Sequence, residues 1–183
     1  MALLVYKIAE YEHTAEREQY RTLCKQLKAH YEYNQENCIF IANYNIFDCE
    51  LDGIIIKNDG IIGVEFKNYG GLITAVENGE WKLSDGTIIK GGSRKTVYQQ
   101  SKLNHVAIKR GLKEGVILPP HALRNIAFLV VFHQPIHLDN RLSRKVQSWL
   151  HICDEETFIE KVQDITSQYL DLSEEDFLML ISK

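Results

Sequence analysis

A tight turn between two uninterrupted apolar runs governs what this chain can become. Asn58-Asp59-Gly60 separates Ile54-Ile55-Ile56 from Ile61-Ile62-Gly63-Val64, and Asn, Asp and Gly at such a junction signal a β-hairpin. Strands that are apolar at consecutive positions, rather than alternate ones, are covered on both faces. The hairpin therefore lies inside a sheet with other elements packed on either side, its strands expected over residues 50–57 and 61–68.

Into this apolar setting the sequence places charge. Side chains alternate along a strand, so Glu65 and Lys67 share a face with Ile61 and Gly63. A two-residue Asp59-Gly60 turn puts Asp52 opposite Lys67 and Ile54 opposite Glu65, and Asp52 joins the same face. Its diagonal Cα distance to Glu65 is then about 7 Å, which lets two carboxylates converge on one cation. A three-residue turn would send Asp52 to the other face. Hard oxygen donors suit Mg²⁺ or Mn²⁺, which polarise a phosphodiester and acidify a bound water. A neighbouring ammonium orients that water or stabilises charge on the phosphate, and the backbone carbonyl of Phe66 is a further candidate ligand. The plainer alternative is an ion pair on a hairpin, which contributes little stability when exposed.

Around the hairpin, Thr14 is expected to cap a first helix running to about Tyr31, with Tyr20, Leu23, Leu27 and Tyr31 on one stripe. Glu16 falls on that stripe in the first turn, where an acid also suits the helix dipole. Residues 38–46 form a strand. Segments 72–76, 80–84 and 87–90, joined by Asn78-Gly79 and Asp85-Gly86, form a meander. A second helix spans about 96–113, Pro119-Pro120 introduces a buried strand over 125–132, and a strand-like piece at 150–153 precedes an acidic helix over about 155–170 capped by Asp154. The apolar end, Phe177 to Ile181, is either buried locally or continues into a longer protein.

Charge is unevenly distributed. The net value is -4, yet from Lys90 to Lys113 there are seven basic residues and no acid, whereas from Asp154 to Asp176 Lys161 stands alone among nine acids. An anionic partner would meet the middle of the chain, through Lys90, Arg94, Lys95, Lys102 and Lys109, although each lysine alone could be an ordinary solvated residue. Several classes are disfavoured. No apolar run is long enough to span a membrane and no basic leader precedes the first apolar residues, so a cytoplasmic protein is expected. The four cysteines lack CxxC spacing, which argues against a zinc site, an iron–sulfur cluster or a disulfide framework. Gly91-Gly92-Ser93-Arg94-Lys95 lacks P-loop spacing, and Pro135 interrupts the helical zinc pattern that His133 and His137 would otherwise suggest.

The segment Glu50-Leu51-Asp52-Gly53-Ile54-Ile55-Ile56 followed by Ile62-Gly63-Val64-Glu65-Phe66-Lys67-Asn68-Tyr69-Gly70-Gly71 resembles the nuclease-related domain (NERD) family of the PD-(D/E)xK nuclease superfamily. The resemblance takes in Ala15-Glu16 and the glutamine-bearing second helix, roughly residues 10–135 of one domain spanning 1–183, with the acidic helical part at about 154–183 beyond it. It implies a restriction-endonuclease-like α/β core with a central mixed β-sheet flanked by helices. It further implies Mg²⁺- or Mn²⁺-dependent hydrolysis of DNA, with Asp52 and Glu65 on the metal, Lys67 assisting the water, and Glu16 with a glutamine completing the site. The family's proline before that glutamine is replaced here by Thr96-Val97-Tyr98-Gln99-Gln100. Spacing from the proline position favours Gln99, whereas helical phase favours Gln100, our preference.

The resemblance also implies a helicase or kinase-like partner in DNA processing or defence, and leaves room for a homo-oligomer. Two competitors remain at this level. One is a nucleic-acid-binding or assembly module that keeps the fold without cutting; the other is an α/β interaction domain whose hairpin charges are structural.

Overall fold

The computed structural model describes residues 3–115, 118 and 120–181. Its centre is a mixed six-stranded sheet in the order β1 (Leu3–Lys7), β2 (Cys38–Ile46), β3 (Cys49–Lys57), β4 (Gly60–Lys67), β8 (Ala127–Phe132) and β10 (Leu150–Asp154). Strands β2, β3 and β4 form an antiparallel meander, while β1 joins β2, β8 joins β4 and β10 joins β8 in parallel. The predicted mixed sheet with flanking helices is therefore observed.

As the Ile54-Ile55-Ile56 run required, the sheet is covered on both sides. Ile55 faces Leu23 and Leu27 of α1 (Thr14–Asn34) and Phe158 and Val162 of α4 (Phe158–Asp164) in one core. Ile54 and Ile56 belong to the other core, with Ile108 of α2 (Val97–Gly115) and the apolar face of a second sheet. That smaller sheet has the order β7 (Ile88–Ile89), β6 (Trp81–Leu83), β5 (Gly71–Ala75) and β9 (Ile136–Asn140). Its inward residues Ile73, Trp81 and Ile89 are fully buried. The chain enters it from the ends of β4 and β8, side by side: His133 N–H donates to the Lys67 carbonyl (2.9 Å) and Gly71 N–H to the Pro135 carbonyl (2.9 Å).

Gly63 sets how closely α2 approaches. A Cβ there would lie 2.4 Å from Ile108 Cδ1 and 2.6 Å from Phe128 Cδ2, so glycine lets the helix lie flat on β4 and β8. That contact seats the second half of α2 against the middle of β4.

Several expectations need correction. Thr14 is the first residue of α1 rather than its cap; His13 occupies the cap position and makes no side-chain cap bond, and Thr14 Oγ1 accepts from Arg17. A short helix, α3 (Arg144–Gln147), lies between β9 and β10, and the acidic helix is one short piece, α4. Asp154 lies ahead of it, accepting from the Thr157 N–H and hydroxyl through Oδ1 and from Ile136 N–H through Oδ2. Beyond α4 the chain extends so that Ser167 and Leu172 N–H reach the Asp59 and Asn58 carbonyls, tertiary bonds that outweigh helical continuation. Pro120 begins a short 3₁₀ turn (Pro120–Leu123), and Pro119 lies outside the described residues. Strands β1 and β9 went unforeseen. The apolar end forms α5 (Glu174–Ile181), which buries Phe177 completely while Leu178 stays exposed.

Candidate active site

The β3–β4 hairpin differs from its expected register by two residues. Lys57 pairs with Gly60, leaving Asn58-Asp59 as the loop, and Ile54 pairs with Gly63 rather than Glu65. The reason lies outside the hairpin: the Asn58 and Asp59 carbonyls are both taken by the segment after α4, and Asn58 Nδ2 donates to the Leu172 carbonyl at 2.8 Å. A shift of two preserves which face each side chain occupies, so Asp52, Glu65 and Lys67 still share one side of the sheet.

There they form a connected group. Phe66 N–H donates to Asp52 Oδ2 at 2.6 Å, and Lys67 Nζ donates to Glu65 Oε1 at 2.8 Å and to Gln100 Oε1 at 3.2 Å. Gln100 is fixed in turn by Gly92 N–H at 2.8 Å. Glu65 is 4% and Lys67 8% exposed, so this is a buried ion pair rather than the solvated hairpin pair considered above. Asp52 is half-buried and lines a cleft of about 370 Å³ with Tyr11, His13, Glu16 and Glu50.

Electrostatics set the two carboxyls apart from ordinary acids. Removal from water, and next the Glu65 charge, push the Asp52 carboxyl well above the usual carboxylate range, against the opposing pull of the Phe66 N–H and Lys67. Burial also raises Glu65, with Lys67 as the main opposing influence, and Glu16 adds repulsion to both. Two acids that resist ionisation side by side are short of positive charge. Among the described residues no three His, Cys, Asp or Glu side chains converge on one point. Asp52 and Glu65 are the carboxylates here that could hold a divalent cation, with the Phe66 carbonyl as the candidate third ligand. Mg²⁺ bound through one or two carboxylates and several waters has such a composition.

The remaining candidates divide. Gln100 reaches the group, whereas Gln99 closes a capping box with Thr96: its Oε1 accepts from Thr96 N–H at 3.0 Å, and its own N–H donates to Thr96 Oγ1 at 3.2 Å. Glu16 comes in from the first turn of α1 and borders the cleft. Lys90, Arg94 and Lys95 are exposed on the segment whose Gly92 holds Gln100. Lys102 and Lys109 lie on α2 roughly half a turn around from Gln100 and so face away from it. Lys109 is half-buried, which lowers its pKa.

Sequence reasoning missed Tyr11 and Asn43. The Tyr11 hydroxyl donates to the Asp52 carbonyl at 2.6 Å, and Asn43 Nδ2 donates to the Glu10 carbonyl at 2.8 Å. Tyr11 left no periodic signal, but an Asn within an apolar strand is uncommon and could have been noticed.

A family model described as nuclease-related domain matches residues 13–152, reaching β10 where the sequence resemblance had ended near 135. No curated protein and no solved structure matches the chain.

Proposed function

Because the chain belongs to the nuclease-related domain family, we propose that it is a divalent-metal-dependent nuclease that hydrolyses DNA phosphodiester bonds at Asp52, Glu65 and Lys67. The observation that carries this is a buried carboxylate–lysine pair, Glu65 and Lys67, joined by Gln100 and set beside a second, half-buried carboxylate, Asp52, that lines an open cleft. Simple stabilisation accounts poorly for such a group, since two acids removed largely from water against one cation leave a charge to be neutralised.

Asp52 and Glu65 would hold Mg²⁺ or Mn²⁺, which would supply Lewis-acid polarisation of the phosphate and a more acidic bound water. Lys67 places an ammonium beside Glu65, where it orients the attacking water and offsets charge on the phosphoryl oxygens. Gln100 keeps that ammonium in place through its Oε1, itself anchored by Gly92. Lys90, Arg94 and Lys95 would contact flanking phosphates, giving affinity without sequence choice. Lys102 and Lys109 are less suited, being on the far side of α2.

The test is cleavage of single-stranded, linear and supercoiled DNA with Mg²⁺, Mn²⁺ or EDTA, using wild type and a folded Asp52→Ala protein. Metal-dependent cutting by wild type and its loss in the variant are expected. No cutting by wild type under any condition, with DNA binding intact, would replace this proposal with the binding-module alternative.

A further inference from the structure

We propose that Tyr11 is a positioning residue for the Asp52 carboxylate, an inference that rests on the metal-site reading above. Asp52 sits at a gap in the sheet. The β2–β3 ladder pairs Ala42 with Gly53 and Tyr44 with Leu51 but skips Asn43 and Asp52, and the β3–β4 ladder stops at Gly53 and Val64. Asn43 interrupts the ladder because its backbone is left-handed, at φ 52°. The register is the same on both sides of the gap, so no residue is inserted and only the pairing of Asn43 with Asp52 is lost. At its own position, then, the Asp52 backbone has no ladder partner in either neighbouring strand.

Tyr11 takes over that task from two directions. Its hydroxyl donates to the Asp52 carbonyl at 2.6 Å. Its ring packs 5.7 Å from that of Phe66, whose N–H holds Asp52 Oδ2 at 2.6 Å. Backbone and carboxylate of Asp52 are both tied to one aromatic side chain, which is only 4% exposed.

Tyr11 is itself well fixed. Ile8 N–H donates to the Ala42 carbonyl at 3.0 Å, Asn43 Nδ2 holds the Glu10 carbonyl at 2.8 Å, and the Tyr20 ring lies 5.3 Å from that of Tyr11. Asn43 thus opens the ladder at Asp52 and fastens the segment that closes it again. Tyr11 precedes the residues matched by the family model, which begin at 13.

Tyr11→Phe keeps the ring and removes only the hydroxyl, so it separates packing from positioning. The experiment measures Mn²⁺ affinity by titration calorimetry, together with the thermal midpoint, for the full chain carrying Tyr11→Phe or Asn43→Gly. Glycine accepts the left-handed backbone but loses the tie to Glu10. We expect Mn²⁺ binding about three- to tenfold weaker in Tyr11→Phe, the scale of one hydrogen bond, and a smaller loss in Asn43→Gly. Cleavage at limiting Mn²⁺ should fall in Tyr11→Phe and return toward the wild-type rate when Mn²⁺ saturates. Affinity within about twofold of wild type in both variants, whatever happens to the midpoint, would reduce Tyr11 to a packing residue and overturn the proposal. Wild-type protein that binds no Mn²⁺ would overturn it together with the metal site. Wild type that binds Mn²⁺ without cutting DNA would sink only the nuclease activity, and the affinity comparison would still decide the role of Tyr11.

Discussion

Replacing Lys67 with methionine would expose how much the fold depends on its own candidate active site. Methionine keeps most of the side-chain volume and removes the ammonium. Glu65 is 4% exposed and bonded to Lys67 Nζ at 2.8 Å, and Gln100 would keep its bond from Gly92 N–H. The loss therefore falls on a buried carboxylate deprived of its cation, a change that typically destabilises by about 3–5 kcal/mol. In a chain of this size each kcal/mol is roughly 2–4 °C of melting temperature. Lys67 is the main influence opposing the burial that raises Glu65, so in the variant that carboxyl rises further. An acid raised in the folded state binds more protons there than in the unfolded chain, and its destabilising effect grows as pH rises through the folded-state value. Urea denaturation of wild type and Lys67→Met in metal-free buffer at pH 8 and pH 5.5 reads both features: a large loss at pH 8 and a smaller one at pH 5.5. A loss below about 1 kcal/mol at pH 8, or one indifferent to pH, would show that Lys67 and Glu65 are not a buried, mutually dependent pair.

Two further outcomes test neighbouring features. Gln99→Ala should lower stability by about 1 kcal/mol through its cap in a thermal melt, whereas Gln100→Ala should reduce the DNA cutting rate far more than it reduces stability; the reverse pattern would exchange their roles. His105 donates to the Ile126 carbonyl, stacks on Trp149, and is pushed down to about 4 by burial. Because the unfolded chain then takes up a proton that the folded one refuses, the His105 contribution falls by about 2 kcal/mol between pH 7 and pH 5. A His105→Phe variant whose stability declines as steeply over that interval would contradict this assignment.

The hairpin and the site face were legible because they rest on short-range rules. A covered apolar run, a turn signal and strand alternation put Asp52, Glu65 and Lys67 together, and helical phase put Gln100 near them. The register was not legible, since Asn58-Asp59-Gly60 admits two different two-residue loops. The choice between them comes from Leu172 and Ser167, more than 100 residues away. Gln99 could have been read correctly from Thr96-Val97-Tyr98-Gln99, which has the form of a capping box. The truncation of α4 reflects tertiary bonds that no local pattern announces. Strands β1 and β9 are five residues each and only partly buried, so neither carries a strong hydrophobic period. Tyr11 gains its importance solely from what the fold brings beside it.

The paired crossing from the large sheet to the small one limits how the molecule can deform. Residues 68–70 and 133–135 run side by side like two straps, bonded to each other and to the strands on either side. Two straps tied to each other resist twisting where one alone would not, and the inward face of the small sheet is packed into the core besides. Gly70 lets the straps lie close, because a Cβ at this position would come within 2.5 Å of Gln134 Cβ. They begin directly after Lys67 and Phe132, so the small sheet takes its position from the strand end that carries the ammonium, while the spacing of Asp52 and Glu65 belongs to the large sheet alone.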